Sequence, residues 1–124
     1  MIVPGNNMFG HLPDEIHILD SLEKINIQRN YVYGTIPSSW SKLSNMKSLI
    51  LSDNYIEAPI PESILVNMLQ LEELILDNNE LSGPLPSALS SLTSLIRLRL
   101  NFNRLSGVIP SNIKKLSNLG RSNY

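Results

Sequence analysis

The chain has 124 residues, 42% of them hydrophobic, a formal net charge of −1 and no cysteine. That length suits one domain. The balanced charge, with no Lys/Arg block and no acidic tail, gives no electrostatic case for nucleic acid or an anionic membrane as partner. Without cysteine there are no disulfides, thiolate metal sites or cysteine nucleophile within these residues.

No apolar stretch approaches the roughly 20 residues needed to span a bilayer. The opening run Met1–Asn6 has neither the basic region nor the apolar stretch of a signal peptide. None of the 14 asparagines stands in an Asn-x-Ser/Thr sequon.

In chain order the sequence divides into copies of one unit. A partial copy covers residues 1–18, with Met1 and Val3 in the inward positions that Leu98 and Leu100 fill later. Four full copies follow at 19–42, 43–67, 68–91 and 92–115, and 116–124 begins another. Asn6, Asn30, Asn54, Asn79 and Asn103 mark the period, with steps of 24, 24, 25 and 24.

Apolar residues hold register ahead of each asparagine: Leu19, Leu22, Ile25 and Ile27 before Asn30, and Leu92, Leu95, Leu98 and Leu100 before Asn103. The spacing opens in steps of three and closes in a step of two. The last pair therefore reads as a short strand with both side chains on one face. A proline in every copy (Pro13, Pro37, Pro61, Pro86, Pro110) forbids a helix through the turn. The segments after it, such as Pro86–Leu92, suit a 3₁₀ or short helical return. One copy cannot enclose its own apolar side, so neighbours must stack into a continuous core.

The string Leu-x-x-Leu-x-x-Leu-x-Leu-x-x-Asn-x-Leu-x-Gly-x-Ile-Pro resembles the plant-type leucine-rich repeat. That family includes ectodomains of receptor-like kinases and receptor-like proteins, and polygalacturonase inhibitors. The resemblance implies an α/β fold: a right-handed leucine-rich-repeat solenoid with a parallel concave sheet and short 3₁₀ or helical returns on the convex side. It also implies a small second sheet near the Gly-x-Ile-Pro segment. Two departures stand out. Ala58 replaces the motif glycine, which predicts a looser or differently shaped turn. One extra residue between Ile64 and Met68 predicts a bulge around Leu65, Val66 and Asn67.

The asparagine column reads as structural, each amide satisfying backbone groups where the strand turns inward. Trp40 shares a core column with Ile16, Ile64, Leu89 and Ile113. Gly10, Gly34, Gly83 and Gly107 serve backbone geometry. His11 and His17, with Asp14 and Glu15, read as solvated surface and not as a metal site. Asp53, Asp77 and Asn78 read as mixed polar surface. No catalytic motif is present, so no catalytic residue, metal or cofactor is expected.

Residues flanking the inward pair of each strand point to the concave side. They form columns: Lys24, Ser48, Glu73, Arg97; Asn26, Ile50, Ile75, Arg99; Gln28, Ser52, Asp77, Asn101; and, at the strand ends, Arg29, Asp53, Asn78, Phe102. These positions vary while their neighbours repeat, so packing leaves them free for recognition. The expected ligand-binding set is Lys24, Asn26, Gln28, Ile50, Ser52, Glu73, Ile75, Asp77, Arg97, Arg99, Asn101 and Phe102, with Ile50 and Ile75 as adjacent exposed apolar residues.

The leading reading is a non-catalytic module that recognises a protein or peptide, part of a receptor-like ectodomain. Inhibition of a secreted hydrolase and an intracellular scaffold are the alternatives. The resemblance favours an extracellular or membrane-associated setting, with no direct membrane contact by this segment and no nucleic-acid partner. Apolar ends without a polar cap also predict self-association.

Overall fold

The computed structural model describes residues 1–120. The expected start of a further copy at 116–124 thus lies partly outside the described residues. Nine short strands form two sheets. The first, four-stranded, is made of β2 (Lys24–Asn26), β4 (Ser48–Ile50), β6 (Glu73–Ile75) and β8 (Arg97–Arg99) in that order. Ile2 bridges to Asn26 and extends it toward the first repeat. The second is five-stranded: β1 (Phe9–His11), β3 (Tyr31–Gly34), β5 (Tyr55–Ala58), β7 (Glu80–Pro84) and β9 (Arg104–Ser106). All pairings between these strands are parallel. The second sheet is therefore no minor appendage, as the resemblance had implied. It has one strand in each repeat, because the segment after every asparagine stays extended up to the glycine position.

The two sheets stack differently. In the first, equivalent residues face one another: Lys24 opposite Ser48, Ser48 opposite Glu73, Glu73 opposite Arg97. In the second, each strand is displaced by two residues relative to the one before. Tyr33, three residues past its asparagine, faces Tyr55, one residue past its own. The same offset sets Glu57 against Glu80 and Ser82 against Arg104.

Returns run as 3₁₀ helices at Asp14–Ile18, Ser38–Lys42, Ser87–Ser91 and Ser111–Lys115. The extra residue in the third full return is absorbed by a change of helix type and does not protrude as a bulge. Helix α1 (Glu62–Asn67) replaces the 3₁₀ turn. There the Met68 N–H donates to Ile64 O, four residues back, whereas Leu43 and Leu92 donate three back to Trp40 and Leu89. Leu65, the residue this adds, is fully buried.

The core is one continuous cluster between the sheets and the returns. Ile25, Leu49, Leu74, Leu51 and Leu76 are wholly or almost wholly enclosed, each contributing about 1.5–3 kcal/mol. Their counterparts in the last repeat, Leu98 and Leu100, are only partly buried. The same residue type in the same position thus gains full burial only when repeats lie on both sides. Trp40 is fully buried, as expected of a core filler, and its Nε1–H donates to Pro13 O at 3.0 Å in the preceding repeat.

The asparagines form the expected row. Asn79 Nδ2 lies 3.0–3.3 Å from Leu51 O, Leu76 O and Asp77 O, and its Oδ1 accepts the Ile56 N–H at 2.9 Å. An amide has two N–H groups, so these three carbonyls share them. Asn30, Asn54 and Asn103 repeat the pattern. Asn6 is exposed and reaches only Val3 O and Pro4 O of its own repeat.

Ala58 takes the same left-handed conformation as its glycine counterparts, at φ 68° against 81° for Gly34 and 74° for Gly83. The expected change of turn shape does not occur; the fold imposes the conformation, and the alanine bears it as strain. Gly34 has a second reason to lack a side chain, since a Cβ there would collide with the His11 ring.

Two stability outcomes follow. Asn79→Ala should cost about 3 kcal/mol by stranding buried backbone groups at about 1–3 kcal/mol each, while Asn6→Ala should stay within about 0.5 kcal/mol. Equal shifts in urea midpoint for the two would contradict the ladder. Ala58→Gly should stabilise by about 0.5–1 kcal/mol. It relieves a left-handed penalty of roughly 1–2 kcal/mol, less the added freedom of glycine in the unfolded chain.

Candidate functional site

The outer face of the four-stranded sheet carries the residues that vary from repeat to repeat. Leu49 and Leu51, or Leu74 and Leu76, point into the core, so Ser48, Ile50 and Ser52, or Glu73, Ile75 and Asp77, point away from it. In-register stacking places them in straight rows across the strands.

Their exposure is uneven. Lys24, Arg97, Arg99, Asn101 and Phe102 are exposed; Asn26, Gln28, Ile50 and Glu73 are half-buried. Ser52, Ile75 and Asp77 are buried, and Ser48 with them. This corrects the expectation that whole columns stand open to solvent. Ile75 belongs to the face and not to the core cluster. It is nonetheless only 8% exposed, an enclosure that alternation alone does not reveal.

Those side chains are tied into two cross-repeat networks. Glu73 accepts from Arg97 Nη1 at 2.8 Å through Oε1 and from Ser48 Oγ at 2.7 Å through Oε2. Asp77 accepts from Arg99 Nη2 at 2.9 Å through Oδ2. Its Oδ1 is buried with no hydrogen-bond partner among the described residues. The Asp77 side chain is 3% exposed and that of Arg99 61%, so a solvated guanidinium covers an enclosed carboxylate. Asn26 bends inward, its Oδ1 accepting the Gln28 N–H at 3.2 Å. Between the networks, Ile50 and Ile75 lie directly opposite each other and form a short apolar floor.

The strand-end column has a property that the sequence concealed. Arg29, Asp53, Asn78 and Phe102 are all left-handed, with φ between 54° and 57°. The chain turns at this point before each ladder asparagine. The strain recurs whatever residue is present, at roughly 1–2 kcal/mol for residues other than Gly, Asn or Asp. Phe102 stands 75% exposed at the end of the row.

A second exposed surface was not singled out from the sequence. Phe9, Tyr31, Tyr33 and Tyr55 all project from the five-stranded sheet. The signal was available in Tyr31, Tyr33 and Tyr55, which stand at odd positions after their asparagines, but the two-residue displacement that brings them together was not. Among the described residues no cluster of three or more His, Asp or Glu could hold a metal ion. His11 instead packs edge-on against Tyr33, with ring centroids 4.5 Å apart.

Parallel two-sheet coils, 3₁₀ returns and an asparagine ladder define a repeat solenoid. A family model described as leucine-rich repeat matches residues 20–81, half of the chain, and a second of that description matches residues 94–116. The chain belongs to the leucine-rich-repeat family.

Among solved structures it is similar to the plant peptide hormone receptor RGFR1 in complex with RGF2, with a TM-score of 0.92 and 37% identity over 96% of this chain and 19% of that one. It is likewise similar to the Arabidopsis receptor kinase HAESA in complex with the peptide hormone IDA and the co-receptor SERK1, with a TM-score of 0.91 and 37% identity over 96% of this chain and 20% of that one. A chain of the BIR3–SERK2 complex from Arabidopsis thaliana gives a TM-score of 0.86 and 38% identity over 91% of this chain and 60% of that one. These are plant-type ectodomains, in agreement with the resemblance drawn from the motif. The chain spans about a fifth of the two receptors. No curated protein matches.

The two ion pairs should differ in weight. Arg99→Ala leaves Asp77 enclosed without its cation and should destabilise by about 1–3 kcal/mol. Arg97→Ala leaves Glu73 half-exposed and still bonded to Ser48, and should cost less than about 1 kcal/mol. Denaturation midpoints of the two variants check the ranking.

Proposed function

We propose that this chain is a non-catalytic recognition module that binds an extended peptide or protein segment on the outer face of the four-stranded sheet, the concave face of the solenoid. The observation that carries the reading is the row structure of that face: an apolar pair, Ile50 and Ile75, between a Ser48–Glu73–Arg97 network and an Asp77–Arg99 pair. An extended segment laid across the strands would meet Ile50, backed by the covered Ile75, with hydrogen-bonding groups on both sides. The networks hold those groups in place before binding, which lowers the ordering cost of association. The receptors to which the chain is similar are seen in complex with peptide hormones, and this supports the reading.

Structure refines the contact set. Lys24, Ile50, Arg97, Arg99, Asn101 and Phe102 are the residues that a ligand touches directly. Ser52, Ile75 and Asp77 act beneath them as supports. Asn26, Gln28 and Glu73 are half-exposed at the margins. Phe102 and the arginines are of the types that dominate interface energies.

The test is a selection of random linear peptides against the immobilised chain. Peptides that bind this face should lose at least about tenfold in affinity, about 1.4 kcal/mol, on Phe102→Ala and on Ile50→Glu. They should be indifferent to Val66→Ser on the convex return. Binders that track Val66 and ignore Phe102 and Ile50 would refute the assignment.

A further inference from the structure

The five-stranded sheet carries an aromatic surface that the proposed peptide site does not use. Four of the chain's seven Phe, Trp and Tyr residues stand on it: Phe9, Tyr31, Tyr33 and Tyr55. Phe9 is 83% exposed and the three tyrosines about half. The displaced register gathers them from three repeats, setting Phe9 against Tyr31 and Tyr33 against Tyr55.

Tyr31 and Tyr55 have ring planes within 14° of parallel and centroids 6.3 Å apart. Neither hydroxyl has a protein partner among the described residues. Beside these rings runs an open groove of about 400 Å³, edged by Arg29, Asp53 and Asn78. Arg29 Nε and Asp53 Oδ2 are 3.8 Å apart, and the two side chains are 76% and 41% exposed. That pair is loose, and most of its hydrogen-bonding capacity faces the groove.

We propose that this groove is a binding site for a neutral oligosaccharide of pyranose rings. A pyranose has an apolar C–H face that settles on an aromatic ring, whose face is electron-rich. Its edge carries hydroxyls that both donate and accept. The stacked Tyr31–Tyr55 pair supplies that ring face on its outer side. The Asp53 carboxylate, the Asn78 amide and the Arg29 guanidinium supply acceptors and donors at one side of it.

Charge and size select this occupant over others. Arg29 and Asp53 cancel, so no net field favours an anion or a cation. The groove lies at the small-ligand end of the range of about 300–1,000 Å³. The aromatic area ends at the next strand pair, where Glu57 faces Glu80, itself ion-paired to Arg104 at 3.1 Å.

The experiment is an NMR titration of the chain with cellohexaose, reading the tyrosine ring signals. Tyr31 and Tyr55 should shift together with a Kd on the order of 1 mM. Tyr31→Ala and Tyr55→Ala should each weaken binding at least about tenfold with an unchanged melting temperature, because both rings are half-exposed. Tyr31→Phe, which keeps the platform, should stay near the parent, and so should Arg97→Ala on the other sheet. Ring signals that stay fixed in cellohexaose would overturn the proposal. So would shifts produced by oligogalacturonate and not by cellohexaose, by dilution of the chain alone, or with equal loss on Arg97→Ala.

Discussion

Besides the two sheets, one buried carboxamide per repeat fastens it to the repeat before. The oxygen of Asn54 accepts the Val32 N–H, and its nitrogen donates to Ile27 O, both in the preceding repeat, as well as to Leu51 O of its own. Leucine burial supplies most of the driving force, but apolar side chains slide past one another at little cost. The amide does not, because its bonds are directional and the backbone groups it satisfies have no water to turn to. It fixes the angle at which the strand turns inward, and that angle sets the positions of both sheets. Asn6 retains only the bonds to its own repeat and is correspondingly exposed.

Most of this architecture was legible in the sequence because it is periodic. The asparagine row, the leucine columns, Trp40 in the core and the face that carries the variable residues all follow from alternation and spacing. What was not legible depends on relations between repeats that spacing does not encode. Ile75 and Asp77 point where alternation says but are buried, Asp77 beneath the Arg99 guanidinium. The extra residue near Leu65 suggested a bulge; the return changes helix type instead and buries Leu65. Ala58 shows the converse. A residue that suggested a different turn was overruled by bonding on both sides, and the local preference of one alanine is small against the ladder that holds it.

The two sheets divide the work of presentation. On the four-stranded sheet, carboxylates are bonded across repeats before any ligand arrives, so Glu73 and Asp77 act as anchors that hold Arg97 and Arg99 in the rows. On the five-stranded sheet the aromatic side chains stand exposed with ring contacts such as Tyr31 on Tyr55, and one ion pair, Arg104 to Glu80, crosses between repeats. The strained column of Arg29, Asp53, Asn78 and Phe102 lies between the two surfaces and belongs to both: its backbone turns the chain, and its side chains border each face.

Both stacking rules, in register on one sheet and displaced by two residues on the other, repeat at every step and would survive the gain or loss of a whole coil. Were the coil at 43–67 excised, the straight rows would close up with Lys24 against Glu73, keeping their columns and changing only membership. On the other face Tyr33 would meet Glu80 instead of Tyr55, and the Tyr31–Tyr55 stack would be lost while Phe9 stayed opposite Tyr31. Whole-coil duplication or deletion therefore lengthens or shortens both surfaces at once and changes neighbours only at the seam.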